Sequence, residues 1–198
     1  MGGLEAGYNW QVGQSWVWGV EADISLSGLS GQASGTSVIQ SPPLFLQTTT
    51  AQQNNDWYGT FRGRLGWLAT PNLLLFGTGG LAYGKTSESA NYLFTGSVAG
   101  LNATTVGGFS FVCTVNTTCF SSTASAIRVG WSAGGGAEWM FDQHWSAKIE
   151  YQMVDLGSDV IRVTAGAVGV PGNTPASFNA VFGRDEIQVV RVGANYHF

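Results

Sequence analysis

The chain has 198 residues and a net charge of −4, and only 10% of its residues are charged, whereas about 25% is usual in soluble globular proteins. A soluble exterior would be short of charge, and the singly scattered Lys and Arg residues form no basic surface for nucleic acid. Hydrophobic residues make up 44% of the chain, which is too few for a bundle of membrane helices. Nothing in the composition divides the sequence, so we expect one domain spanning residues 1–198.

Seven segments alternate between apolar and polar side chains, as expected of β-strands, whose successive residues point to opposite faces. In chain order they lie at about 4–11, 16–27, 57–67, 73–85, 127–141, 145–153 and 190–198. In the second segment Trp18 and Val20 share one face, and Glu21 lies on the other. The fourth is the least regular, because Leu74 and Phe76 occupy its otherwise polar face.

The connections between these segments are of two lengths. Tight turns are predicted at 13–15, 70–72 and 142–144, and long polar loops at roughly 28–55, 87–125 and 157–185. Short periplasmic turns and long extracellular loops are typical of outer-membrane barrels, so the sequence predicts an all-β, antiparallel, up-and-down transmembrane β-barrel. Alternation alone does not say which face is inside, so a soluble lipocalin-like barrel with an apolar lumen is the structural alternative. The low charge of the polar set favours the membrane barrel.

Five tryptophans lie within a few residues of the short turns. At that height their amphipathic indole rings would lie among the lipid headgroups. They form a predicted periplasmic aromatic girdle: Trp10, Trp16, Trp67, Trp139 and Trp145.

The polar faces of the segments bring ten charged side chains into the predicted lumen. Five are acidic and five are basic: Glu5, Glu21, Asp23, Glu138 and Glu150, with Arg62, Arg64, Arg128, Lys148 and Arg191. Side chains about fill the interior of an eight-stranded barrel, so we expect a hydrogen-bonded ion-pair network with a structural role. A narrow gated pore lined by the same groups is the functional alternative.

No residue pattern predicts catalysis, a cofactor or a metal site. His144 lies close to Ser146, and some small outer-membrane barrels hydrolyse lipid A with these residue types on the outer-leaflet side. Both His144 and His197 are expected at the periplasmic end, which is the wrong leaflet. Cys113 and Cys119 are predicted to form a local disulfide, with two unpaired thiols as the alternative, and no further ligands accompany them.

Six stretches in order resemble the small porin-like surface-antigen group of alphaproteobacteria, within the outer-membrane β-barrel domain family that includes OmpA-like barrels. They are residues 3–11, 19–23, 60–66, 78–84, 134–138 and 191–198. The resemblance implies a non-enzymatic structural or surface-antigen protein of the cell outer membrane. A small porin is the alternative, and a lipid-modifying enzyme is a third hypothesis.

The resemblance also implies features at both ends of the chain. The family fold has eight strands preceded by a signal peptide, so we expect the first strand and the signal to be missing upstream of Met1. The terminal aromatics Tyr196 and Phe198 match the signal that the barrel-assembly machinery reads; a chance apolar C-terminus is the alternative. The expected partners are membrane lipids, lipopolysaccharide, that machinery, and host or environmental ligands at the extracellular loops.

Overall fold

The computed structural model describes residues 1–39, 45–96, 109–110, 117–165 and 174–198. None of these residues belongs to a helix that is long and apolar enough to cross a membrane. The strands, in chain order, are β1 (Gly2–Val12), β2 (Trp16–Ile39), β3 (Phe45–Thr70), β4 (Leu73–Gly96), β5 (Phe109–Ser110), β6 (Thr117–Met140), β7 (Trp145–Asp155), β8 (Asp159–Ala165), β9 (Thr174–Pro175), β10 (Ser177–Phe182) and β11 (Glu186–Tyr196).

The seven predicted membrane strands are confirmed as β1, β2, β3, β4, β6, β7 and β11. They pair in that order, and every pair is antiparallel. The predicted short turns connect β1 to β2, β3 to β4 and β6 to β7. Gly13 in the first turn has a φ of 69°, a left-handed conformation that glycine adopts without steric cost.

The prediction of three long polar loops was wrong for most of their length. β2 and β3 continue as a paired ribbon as far as Ile39 and Phe45, and β4 and β6 stay paired as far as Phe94 and Thr117. β8 and β10 form a hairpin that pairs with the upper part of β6. These segments are rich in Thr, Ser, Asn and Gln, and a ribbon polar on both faces lacks the alternation that reveals a half-buried strand.

The sheet rolls into a barrel that stays open along one seam. β1 and β11 are its edges and are not paired with each other. Side chains nevertheless meet across the interior, since Lys148 Nζ lies 2.5 Å from Glu5 Oε1 and Arg191 Nη1 lies 3.2 Å from Asp23 Oδ1. Cavities of about 350 and 340 Å³ lie along the seam between the two edges.

The two edge strands run in the same direction. β1 ends at a periplasmic turn, and β11 is antiparallel to β7, which begins at one. A single strand running opposite to both would therefore make the ring antiparallel throughout. All eleven residues of β1 are exposed, because one side of this strand faces the open seam.

The interior is polar and the outer surface is apolar, as the membrane barrel requires. Arg62 and Glu150 are fully buried, whereas Trp18 is 57% and Val192 80% exposed. A lipocalin-like barrel would show the reverse arrangement, so the soluble alternative is excluded.

Leu74 and Phe76, which broke the alternation of the fourth segment, do point inward. Both are buried near the periplasmic end. The Arg64 guanidinium carbon lies 3.9 Å from the centre of the Phe76 ring, close enough for a cation–π interaction. The irregular pattern therefore reflects apolar side chains that pack inside the lumen, where Phe76 contacts the buried Arg64.

Candidate functional site: the charged lumen

Arg62 lies at the centre of the lumen and is fully buried. Its Nη2 atom lies 2.6 Å from Glu21 Oε1 and 3.3 Å from Asp23 Oδ2. Its Nη1 atom lies 2.5 Å from Glu150 Oε1 and donates to Thr78 Oγ1 at 3.2 Å. The planar fork of guanidinium donors can serve several carboxylates at once, so this one side chain joins β2, β4 and β7 to β3.

A second cluster lies nearer the periplasmic end, around Glu138. Arg64 Nη2 donates to Glu138 Oε2 at 2.6 Å, and Asn195 Nδ2 donates to Glu138 Oε1 at 2.8 Å. The Ser146 hydroxyl donates to the same oxygen, and His197 Nε2 lies 3.4 Å from it. Glu138 therefore connects β3 and β7 with the C-terminal strand.

Two further contacts connect strands on opposite sides of the seam. Lys148 Nζ donates to both oxygens of Glu5, at 2.5 and 2.7 Å. Arg191 Nη2 donates to Asp23 Oδ1 at 3.2 Å and to the Tyr58 hydroxyl at 2.9 Å. The barrel is thus held together through its interior where the backbone ladder is interrupted.

We call these charged residues the lower network. Its members are Glu5, Glu21, Asp23, Arg62, Arg64, Glu138, Lys148, Glu150 and Arg191. They are nine of the ten residues that the sequence placed in the lumen. The tenth, Arg128, also points inward but lies higher and has other partners, so the lower network has five acids and four bases rather than an equal number.

The neutral and additional acidic partners were not among the predicted lumen residues. Thr60, whose hydroxyl donates to Asp23, and Thr78 lie on the polar faces of predicted strands, so alternation alone would have found them. Glu88 and Asp159 were assigned to loops, and Asp185 lies at the end of one, so their inward position had no signal in the sequence pattern.

An apolar layer closes the lumen above the lower network. Its five members are each at most 3% exposed: Tyr58, Ala82, Val154, Leu156 and Ile187. Leu156 follows β7 directly, and its backbone N–H donates to the Asp185 carbonyl at 2.9 Å. The Asp185 N–H donates in turn to the Gly157 carbonyl at 2.8 Å, which fixes this connection inside the barrel mouth.

A second polar group, the upper polar layer, lies above that apolar layer. It consists of Asn55, Thr86, Glu88, Arg128, Asp159 and Asp185. Arg128 Nη2 lies 2.5 Å from Glu88 Oε1 and 2.5 Å from Asp159 Oδ2. Glu88 lies outside the predicted membrane strands, and burial raises the pKa of its carboxyl while Arg128 acts to lower it.

The β8–β10 hairpin covers the upper polar layer with apolar side chains. Ile161, Val163 and Phe182 of the hairpin pack against Ala90 of β4, and Phe178 lies 5.6 Å from Phe120 between ring centroids. The lumen therefore consists of alternating polar and apolar layers along its axis.

The predicted girdle tryptophans all lie near the periplasmic turns on the outer surface. They are between 43% and 57% exposed: Trp10, Trp16, Trp67, Trp139 and Trp145. Tyr196 stacks on His144 with ring centroids 5.8 Å apart and meets Trp145 edge-on at 5.2 Å. Phe198 is exposed. The membrane role of the girdle and the assembly role of the terminal aromatics stay predictions.

Ser146 meets His197, and not the neighbouring His144 that the sequence suggested. Ser146 Oγ and His197 Nε2 are 2.9 Å apart. In a catalytic triad the acid orients the imidazole through its other nitrogen, whereas here the same Nε2 faces Glu138. Ser146 is also fully buried, and its contact with His197 joins β7 to the C-terminal end of the chain.

Two further sequence features concern cysteines and metal ligands. Cys119 is buried and is not a free thiol, while Cys113 lies outside the described residues, so the local disulfide stays a prediction. Among the described side chains, Glu5, Glu21 and Glu150 converge closely enough to be considered for a metal. Arg62 and Lys148 already pair with these carboxylates, which leaves a cation little to neutralise.

A polar ion-paired lumen inside an apolar exterior agrees with the family comparison, in which the outer membrane protein β-barrel domain matches residues 1–198. The chain belongs to this family. It is an outer-membrane β-barrel protein, and the resemblance inferred from the sequence is confirmed.

Curated relatives of this family come from alphaproteobacteria. The 31 kDa outer-membrane immunogenic proteins of Brucella melitensis biotype 1 and Brucella suis biovar 1 are each 32% identical over 199 residues, covering 100% of this chain and 66% of the relative. The 22 kDa outer membrane protein of Rhizobium leguminosarum bv. viciae is 27% identical over 157 residues, covering 79% of this chain and 53% of its own length. The chain thus spans just under two thirds of the Brucella relatives. No solved structure matches it.

Proposed function

We propose that this protein is a non-conducting barrel that displays an extracellular β-extension, with a structural and surface-antigen role and no enzymatic activity. The observation that carries the proposal is that side chains occupy the lumen. The lower network fills the interior at the level of Arg62. The apolar layer that contains Tyr58 and Ile187 lies directly above it. Water-filled channels belong to barrels of more strands, whereas about eight strands leave an interior that side chains fill.

The extracellular extension supports the display role. It projects beyond the lipid-facing belt as the continued ribbons of β2, β3, β4 and β6. The described parts of this extension fall within the sequence stretches 24–55, 89–127 and 163–183, which contain no Asp, Glu, Lys or Arg. We expect this hydroxyl-rich and amide-rich surface to contact lipopolysaccharide and host or environmental molecules, and the Brucella relatives are named as immunogenic proteins.

The proposed lack of catalysis rests on the Ser146–His197 contact. A nucleophilic serine needs access to substrate and a base that is oriented by a third group. Ser146 is fully buried and its hydroxyl donates to Glu138. Lipid A from cells that express the protein is therefore expected to have an unchanged mass spectrum, and a new hydrolysed species would contradict the proposal.

Assembly is proposed to use the exposed C-terminal aromatics. Tyr196 and Phe198 point outward while Asn195 and His197 contact Glu138 inside. The aromatic side chains of the C-terminal strand would thus be accessible to the barrel-assembly machinery, while the polar side chains on its other face hold the strand in register through Glu138.

Conductance in planar bilayers tests the proposed function. The folded protein is expected to give no reproducible single-channel steps, while a conducting porin in the same apparatus gives them. Reproducible steps of one unit size from the protein would overturn the non-conducting proposal and favour the small porin.

A further inference from the structure

The upper polar layer contains buried oxygen atoms that have no hydrogen-bond partner. They belong to side chains that are at least nine-tenths buried: Asn55 Oδ1, Thr86 Oγ1, Glu88 Oε2 and Asp185 Oδ2. Buried polar atoms in native proteins almost always bind protein, water or an ion. Thr86 is the clearest case, because it is 1% exposed and its hydroxyl is its only polar side-chain atom.

The strand register and one hydrogen bond place these four side chains in the same layer. Asn55 and Thr86 are direct partners across β3 and β4, and Glu88 lies two residues along β4 on the same face. Asp185 reaches the group from the connection before β11, where its Oδ1 accepts from Asn55 Nδ2 at 2.9 Å. Two carboxylates, an amide carbonyl and a hydroxyl are the hard oxygen ligands that Ca²⁺ and Mg²⁺ prefer.

The layer also carries uncompensated negative charge. Glu88, Asp159 and Asp185 supply three carboxylates, and within this layer Arg128 is the one cation that contacts them. Two negative charges therefore remain, which one divalent cation would neutralise. In the Glu5–Glu21–Glu150 group, by contrast, basic side chains already lie against the carboxylates.

We propose that the upper polar layer binds one divalent cation, Ca²⁺ or Mg²⁺, through oxygens of Asn55, Thr86, Glu88 and Asp185, with water completing the coordination. Arg128 Nε and Nη1 also have no protein partner, which indicates that this layer is hydrated. Asp159, with a side chain 38% exposed, is the most exposed of the three carboxylates in this layer. The cation would tie the β3–β4 wall to the connection that carries the hairpin, and this role is independent of whether the lumen conducts.

Titration with CaCl₂ and with MgCl₂ tests the site on the folded full chain in detergent micelles, after chelator treatment and at constant ionic strength. Calorimetry is expected to show saturable binding to one site, together with a rise in the thermal unfolding midpoint. Glu88→Gln and Asp185→Asn are each expected to weaken binding at least tenfold. Glu186→Gln is the matched control, because Glu186 is exposed and contacts Gln188 instead of this layer; it is expected to bind as the unmodified chain does.

A folding defect in the variants is distinguishable from loss of the site. Without cation, Asp185→Asn is expected to unfold at the same or a higher temperature at neutral pH, because it removes a buried carboxylate that no described basic side chain contacts and keeps an oxygen that can accept from Asn55. Absence of saturable binding in the unmodified chain would overturn the proposal. Equal binding by Glu88→Gln and Asp185→Asn would overturn it too, since the ions would then lie elsewhere on the surface.

Discussion

At the residue scale, the lumen depends on charges that are buried only because they are paired. Taking an ion out of water costs several kcal/mol, and this cost is recovered only when opposite charges and hydrogen bonds satisfy it. Arg62 meets three carboxylates within 3.3 Å. Loss of this single guanidinium would leave Glu21, Asp23 and Glu150 facing one another with little compensation.

Arg62→Ala is therefore expected to destabilise the barrel by about 3–5 kcal/mol, the usual cost of removing one partner from a buried ion pair. Urea unfolding in micelles, followed by tryptophan fluorescence, measures this. Arg162→Ala is the control, because Arg162 is exposed and donates to Ser177; its expected cost is below about 1 kcal/mol. Equal effects of the two substitutions would show that Arg62 does not organise the lumen.

Two glycines in the central strands differ in the space available for a side chain. A Cβ added at Gly136 would lie 2.1 Å from the Ile149 carbonyl oxygen, whereas one at Gly77 would have its nearest atom 3.8 Å away. Backbone approaches backbone at the first position, so a methyl group there forces the strands apart. At the second position the methyl group meets ordinary contact distances.

Gly136→Ala is accordingly expected to destabilise the barrel by about 1–3 kcal/mol through overpacking, and Gly77→Ala by less than about 1 kcal/mol. The fraction of protein that refolds into micelles, read from the heat-dependent shift in gel mobility, distinguishes them. A larger loss of folded protein for Gly77→Ala would contradict this account.

At the element scale, the β8–β10 hairpin is held to the barrel wall mainly by one apolar face. Ile161, Val163 and Phe182 point to the wall, whereas Val160, on the opposite face of β8, is 54% exposed. Strand pairing adds only a short ladder to β6 at Phe120 and Ser121. Shortening a single apolar side chain on the inward face should therefore weaken the docking of the hairpin.

Val163→Ala is expected to weaken docking by about 2 kcal/mol, from lost burial and the cavity left behind. An undocked population about 30-fold larger follows from that free energy. Limited trypsin digestion after Arg162 and Arg184 reports it as faster cleavage. Val160→Ala removes the same atoms from the exposed face and should leave the cleavage rate unchanged. If both substitutions accelerated cleavage equally, docking of the hairpin would not control the access of trypsin to these sites.

At the scale of the whole molecule, the seam is where β1 and β11 lack a backbone partner among the described strands. Unpaired N–H and C=O groups are costly in hydrocarbon, which is why membrane barrels are closed. Here the two edges are parallel to each other, and Lys148 of β7, the neighbour of β11, pairs with Glu5 of β1 across the seam. An antiparallel strand with alternating side chains would satisfy both edges.

A designed alternating strand of about eleven residues, joined by a short turn to Met1, is expected to protect the seam-facing amides of β1 and β11 from hydrogen exchange. The length matches β1 and β11, which have 11 residues each. A control strand of the same composition in scrambled order should give no protection, because its apolar residues would not share a face. Equal protection of these amides by the designed and the scrambled strand would mean that pairing at the seam does not depend on the alternation of side chains.

Much of this architecture follows from local pattern. A period of two requires no knowledge of the rest of the chain, so seven strands, their inward and outward faces and the short turns were predictable. The extension was missed because Ser, Thr and Gln on both faces remove that period. Leu74 and Phe76 broke the period for a reason that lies in another strand, the guanidinium of Arg64.

The sequence by itself determined the membrane strands and the chemistry of their two faces, and it favoured a membrane barrel with charge inside, because polar and apolar side chains alternate along each strand. Only the tertiary structure decided which charges meet. Strand order and register set whether Arg62 reaches Glu150, 88 residues away, and whether Arg128 joins the lower network or pairs with Glu88 above it. Those contacts depend on distances across the barrel, and such distances have no counterpart in the spacing of residues along one strand.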